Sequence, residues 1–153
     1  MLKVLDKKNY LDIVIFMLVM LWTYAAVAKF VDFENNKNQM LSQVFPRNIS
    51  IALAWLVPLT ELLTAASLCF PKTRKAGLLI SLGLIVAFSI YIILIMTGLF
   101  GKIPCSCGGI IEKLSWGQHL VFNLFFTGIS LGGLVLYHLQ PVQTTKERRL
   151  HQK

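Results

Sequence analysis

Cys105 and Cys107 stand one residue apart in the segment Ile103-Pro104-Cys105-Ser106-Cys107-Gly108-Gly109. A disulfide between residues i and i+2 closes a small, strained ring, and strained, accessible disulfides are the labile, oxidising ones. Pro104 on one side and Gly108 and Gly109 on the other would shape the backbone around such a ring. The spacing is compatible with a thiol–disulfide exchange pair, with a static bridge or two free thiols in a stiffened loop, and with half of a metal site. Zinc usually takes four ligands, and only His119 offers a third soft donor here, so no metal is expected. The third cysteine, Cys69, belongs to an apolar stretch and is expected to be a small apolar residue.

Two further residues could take part in chemistry. Ser115 and Gln118 have the spacing of a capping box, which predicts a helix starting near Ser115 and puts His119 close to the cysteine segment. An imidazolium there would lower a thiol pKa or relay a proton. Asn123, four residues on, shares its helix face and is placed to hold the ring by a hydrogen bond. The alternative for His119 is an interfacial side chain turned toward headgroups. Glu61 interrupts an apolar stretch three residues after Pro58. It lies near the middle of that stretch, where an ionisable side chain is costly and marks a functional site by default. It could be protonated, cap the backbone group that Pro58 frees, face a cofactor cavity, or make a hydrogen bond inside the fold.

The elements that must position these residues are apolar blocks. The 153 residues are 56% hydrophobic and 14% charged, with a mean hydropathy of +0.66; a soluble domain carries about 25% charged residues. Blocks at about 11–28, 49–70, 76–100 and 118–139 are each near the ~20 apolar residues that cross a bilayer. The expected fold is an all-α membrane protein, a single domain over 1–139 with four transmembrane helices in a bundle, followed by a basic tail at 140–153. The basic start and Ala26-Val27-Ala28 have the look of a signal peptide, but the block is long for one. Its Trp22 and Tyr24 suit the interfacial end of a span, and Asp12 and Lys29 suit interfacial anchors. Small residues four apart, Gly83 with Ala87 and Gly128 with Gly132 next to Gly133, suggest close helix packing. The net charge of +8 comes from short clusters between apolar blocks, which points to membrane orientation and away from nucleic acid. Segments on the side of the termini hold ten Lys and Arg and those on the other side five. The positive-inside rule then puts both termini in the cytoplasm and the cysteine segment outside. In a bacterium that is the periplasm, where disulfides form.

Four stretches together resemble the MauE/DoxX-like family of small bacterial membrane proteins. They are Leu21 to Phe30 (LWTYAAVAKF), Pro58-Leu59-Thr60-Glu61, Pro104-Cys105-Ser106-Cys107-Gly108-Gly109, and Trp116-Gly117-Gln118-His119-Leu120-Val121-Phe122-Asn123. The resemblance implies four transmembrane helices and a place in the bacterial inner membrane. It also implies a role like that of the methylamine utilisation member, which serves maturation of a disulfide-rich periplasmic enzyme alongside a thioredoxin-like partner. Cys105 and Cys107 would then exchange with that partner or with a disulfide-containing client. His119 would assist, with Trp116, Asn123, Gly108 and Gly109 in support, and Glu61 would face a quinone. The methylamine-type motif has an aromatic residue after its second cysteine, where this chain has Gly108. The second cysteine pair of vitamin K epoxide reductase and DsbB-type proteins has no counterpart. The competing expectation is a non-catalytic membrane scaffold or assembly subunit whose loop is merely stapled.

Overall fold

The computed structural model describes residues 2–99 and 115–139. Among them every regular element is a helix: α1 (Leu2–Val31), α2 (Phe33–Leu41), α3 (Arg47–Cys69), α4 (Arg74–Met96) and α5 (Trp116–Leu139). Four stretches are long and apolar enough to cross a membrane: Asn9–Val31 within α1, and the whole of α3, α4 and α5. The all-α, four-span bundle expected from the apolar blocks is therefore the fold. The polar start does not precede α1 but is continuous with it.

The four long helices run alternately up and down. At one end, the Arg74 guanidinium opening α4 donates to Asp12 of α1 at 3.1 Å. Nearby, Gly133 of α5 packs against Val14 of α1 and Leu78 of α4. The start of α1 and the end of α5 thus lie on the same side of the bundle. The turn between α3 and α4 is held by Thr73, whose hydroxyl donates to the Ser67 carbonyl at 2.7 Å. At the opposite end α4 stops at Gly98, whose φ of +70° is the left-handed conformation that commonly closes a helix and that glycine adopts without strain.

Large apolar side chains cover the outside of the spans: Phe16, Leu63, Phe125 and Val135 are all more than half exposed. In water such a surface would aggregate; in a bilayer it is solvated by acyl chains. The inside is small and partly polar. Trp22, expected at an interface, is buried and donates its indole N–H to Ser81 at 2.9 Å. The Ser81 hydroxyl lies 3.4 Å from that of Ser130, so one polar chain joins α1, α4 and α5 within the core.

The close helix contacts are not all where the spacing of small residues suggests. A Cβ at Gly83, Gly128 or Gly132 would meet nothing within 4 Å. These glycines face outward, because their i, i+4 stripes lie on the faces turned away from the bundle. Gly133 does pack, with a virtual Cβ 2.8 Å from a Val14 methyl. Gly77 is tighter still: its Cβ would lie 2.9 Å from the backbone nitrogen of Leu68.

Candidate functional site

The connection between α1 and α3 is polar in sequence. It holds α2, a helix packed along the first half of α3. Asp32 caps it by accepting from the Asn35 amide at 3.3 Å. Two of its polar residues turn inward: Asn36 is 3% exposed and Gln39 is 8% exposed. The reason lies in Pro58. Proline has no N–H to give the carbonyl four residues back, which leaves the Ala54 carbonyl of α3 without its helical donor. The Asn36 side-chain amide donates to that carbonyl at 3.1 Å. Thr60, just beyond the proline, directs its hydroxyl to the Leu56 and Val57 carbonyls at 2.9 and 2.8 Å. The backbone defect is thus repaired by Asn36, not by Glu61.

Glu61 makes a different bond. Both its carboxylate oxygens accept from the Lys29 ammonium, at 2.8 and 3.1 Å, and Lys29 also donates to the Ala25 carbonyl at 3.2 Å. Lys29 is therefore no interfacial anchor: its side chain is 14% exposed and that of Glu61 2%. Side chains on a helix lean toward its N-terminus. Lys29, near the end of α1, leans inward, and Glu61 on the antiparallel α3 leans outward, so the two meet. At the helical rise Glu61 lies about 21 Å from Arg47 and about 12 Å from Cys69 along α3. Asp12, the other expected anchor, pairs with Arg74 on the opposite side of the bundle.

The Lys29–Glu61 pair forms part of the wall of a cavity of about 290 Å³ between α1, α3, α4 and α5. The cavity also reaches the chain around Met40 to Phe45, where the Tyr91 hydroxyl of α4 donates to Gln43 at 2.6 Å. From α5 come Trp116, His119 and Asn123. The capping box is formed as expected. The Gln118 side-chain oxygen accepts from the Ser115 amide at 2.9 Å, and the Ser115 hydroxyl accepts from the Gln118 amide at 3.4 Å. It sets the start of α5 and so the height of His119.

His119 and Asn123 share one face, as their spacing requires, but the hydrogen bond expected between them is not made. Nδ1 of His119 and Nδ2 of Asn123 are both buried and have no hydrogen-bond partner. Asn123 is 8% exposed. Buried polar atoms are almost always paired; these two belong to residues that line the cavity but are themselves covered by protein atoms. The fold brings together Glu61, Trp116, His119 and Asn123, all singled out in the sequence. It adds three groups the sequence reading did not assign to a site: Lys29, Tyr91 and Gln43. Lys29 was legible as the cation nearest in sequence to an apolar span end, and Glu61 as the carboxylate needing a partner; only their pairing was not. Cys105, Cys107, Gly108 and Gly109 lie outside the described residues. Cys69 is exposed at the end of α3 remote from the cavity.

Comparison with curated proteins and with solved structures finds no match. One family model does match, that described as methylamine utilisation protein MauE, and it covers residues 7–136. That range takes in three spans whole and nearly all of the fourth, the Lys29–Glu61 pair, the cavity and the cysteine segment. With its four apolar helices and a match over most of its length, the chain belongs to the MauE family of membrane proteins.

Proposed function

We propose that the protein is an inner-membrane component of periplasmic thiol–disulfide exchange, acting through Cys105 and Cys107. The observation that carries the reading is the Cys-Ser-Cys segment, bracketed by Pro104 and Gly108-Gly109, in the connection between two spans of a MauE-family chain. In sequence that connection joins Met96 to Trp116, and those helix ends are on the cavity side of the bundle. The excess of Lys and Arg on the side of the termini supports a cytoplasmic position for both ends.

The exchange step is an attack of a partner thiolate on one sulfur of a Cys105–Cys107 disulfide. The S–S bond breaks, a mixed disulfide forms, and the other sulfur leaves as thiolate. A second partner thiol then resolves the mixed bond, leaving the partner oxidised and the pair reduced. The same steps in reverse would reduce a client. The partner is a thioredoxin-like protein or a disulfide-containing client. His119 serves as a proton relay to the leaving thiolate, and Trp116 and Asn123 form its surroundings. Glu61 holds Lys29 and keeps the cavity wall neutral.

Thiol trapping in intact cells tests this reading. A membrane-impermeant alkylating reagent should label Cys105 and Cys107 only after mild reduction. One of Cys105→Ser and Cys107→Ser should accumulate a mixed disulfide, and both should lose activity. Full activity in both variants would leave a stapled scaffold. Labelling only after the membrane is opened would put the segment in the cytoplasm and end the disulfide mechanism.

A further inference from the structure

The cations of the described residues divide into two groups. Lys29 is paired with Glu61, Lys37 with Glu34 and Arg74 with Asp12. Arg47, Lys72 and Lys75 are exposed and have neither an ion pair nor a hydrogen bond from the side chain. Lys72 and Lys75 belong to one short segment, the turn from α3 into α4 and the first turn of α4. Asp12 is the acid nearest that end among the described residues, and Arg74 already holds it at 3.1 Å. The turn therefore carries positive charge that no described side chain offsets.

The helix decides which way these charges face. Arg74 reaches across to α1. Lys75, one residue on, is turned by about 100° and lies on the outer side of α4. Leu79 follows one helical turn along and is 51% exposed, and Val86 and Ile90 continue the same exposed face. Lys72 is exposed in the turn itself, two residues after Phe70, which is 64% exposed. Unpaired ammonium groups thus stand at the head of an apolar helix face that no other element of the described bundle covers.

That arrangement matches the two parts of a membrane lipid. A phosphate meets the lysines, whose long stems let the charged ends stay in the polar layer, and acyl chains meet the apolar face. A zwitterionic head group would bring a cation beside the lysines; an anionic one brings net negative charge. We propose that the outer face of α4, headed by Lys72 and Lys75, binds an anionic phospholipid, with its phosphate on the two lysines and its chains along Leu79, Val86 and Ile90. Arg47 is a single unpaired cation at the opposite end of the bundle, where the charge of Lys37 is already met by Glu34. The site rests neither on the cysteine segment nor on which side of the membrane the termini lie.

The test is native mass spectrometry of the full-length protein, released from detergent micelles and titrated with dioleoylphosphatidylglycerol or dioleoylphosphatidylcholine. The first phosphatidylglycerol should bind more tightly than the first phosphatidylcholine. Lys72→Gln and Lys75→Gln should each weaken phosphatidylglycerol about fivefold, and the double variant more, the size expected for a basic side chain at an anionic lipid surface. Both lysines are exposed and unpaired, so the variants keep the fold. Arg47→Gln removes the same charge at the other end and should leave binding unchanged. Excess glycerol phosphate should not displace the lipid, because it has no chains to lie on α4. Equal binding of the two lipids, or wild-type binding by the double variant, would overturn the proposal. So would a loss in Arg47→Gln as large as in a lysine variant, which would mean attraction by overall charge. Displacement by glycerol phosphate would mean a free phosphate site and would overturn it too. The Cys105→Ser, Cys107→Ser double variant should bind phosphatidylglycerol unchanged, so failure of the exchange reading leaves the lipid site standing, and failure of the lipid site leaves the exchange reading standing.

Discussion

Two side-chain pairings do most to explain how polar groups survive inside this bundle. The Lys29–Glu61 pair is buried, and breaking such a pair leaves one uncompensated charge, at a cost of about 3–5 kcal/mol. Lys29→Met should therefore lower the thermal midpoint in detergent strongly. Lys29→Met with Glu61→Leu should recover most of the loss, because no charge is then stranded. A double variant as unstable as the single one would mean that Lys29 stabilises by packing alone. The Asn36–Ala54 bond makes a sharper cycle. Asn36→Ala strands the carbonyl that Pro58 already deprived of its donor and should cost about 1–3 kcal/mol. Pro58→Ala restores the helical N–H, so in that background Asn36→Ala should cost much less. Equal costs in both backgrounds would show that Asn36 does not act through Ala54.

At the scale of the element, the glycines separate contact from composition. Gly77 brings α4 against α3 so closely that a Cβ would strike the Leu68 backbone nitrogen at 2.9 Å and the Ser67 hydroxyl at 2.7 Å. Backbone cannot swing aside as a side chain can, so Gly77→Ala should destabilise by about 1–3 kcal/mol. Gly128→Ala, facing open space, should be neutral or stabilise by up to about 1 kcal/mol through helix propensity. Thermal unfolding of the two variants side by side checks the contrast. The α2 helix belongs to this scale too. It is polar in sequence, yet two of its six polar residues, Asn36 and Gln39, are buried. A nine-residue helix is short to stand alone; Asn36 and Gln39 bury it against a span whose proline leaves something to bond.

The whole molecule has two unlike ends. One holds the half-buried Asp12–Arg74 pair, the basic turn before α4 and the two termini's helices. The other holds α2, the cavity, and the helix ends that the cysteine segment joins in sequence. If that second end is periplasmic, a cysteine placed at Lys72 in a Cys69→Ser background should resist impermeant alkylation in intact cells, and one placed at Asn38 should react. The opposite pattern would invert the molecule and remove the oxidising compartment from the proposed mechanism.

The four spans, the capping box that starts α5 and the outward-lying apolar surface were legible in the sequence, because length, hydropathy and cap spacing are local properties of the chain. The family was legible for the same reason, through short stretches such as Leu21 to Phe30 and Trp116 to Asn123. Pairing was not. Lys29 looked like an anchor because it ends a span, and only the antiparallel packing of α1 on α3 aims it at Glu61. Asn36 carries no signal of its own in the sequence, and only the packing of α2 on α3 sets it opposite the Ala54 carbonyl. Gly128 and Gly132 carry the pattern of a contact, yet Gly133 makes it, because a step of one residue turns a helix by about 100° and only the assembled bundle says which way each face points.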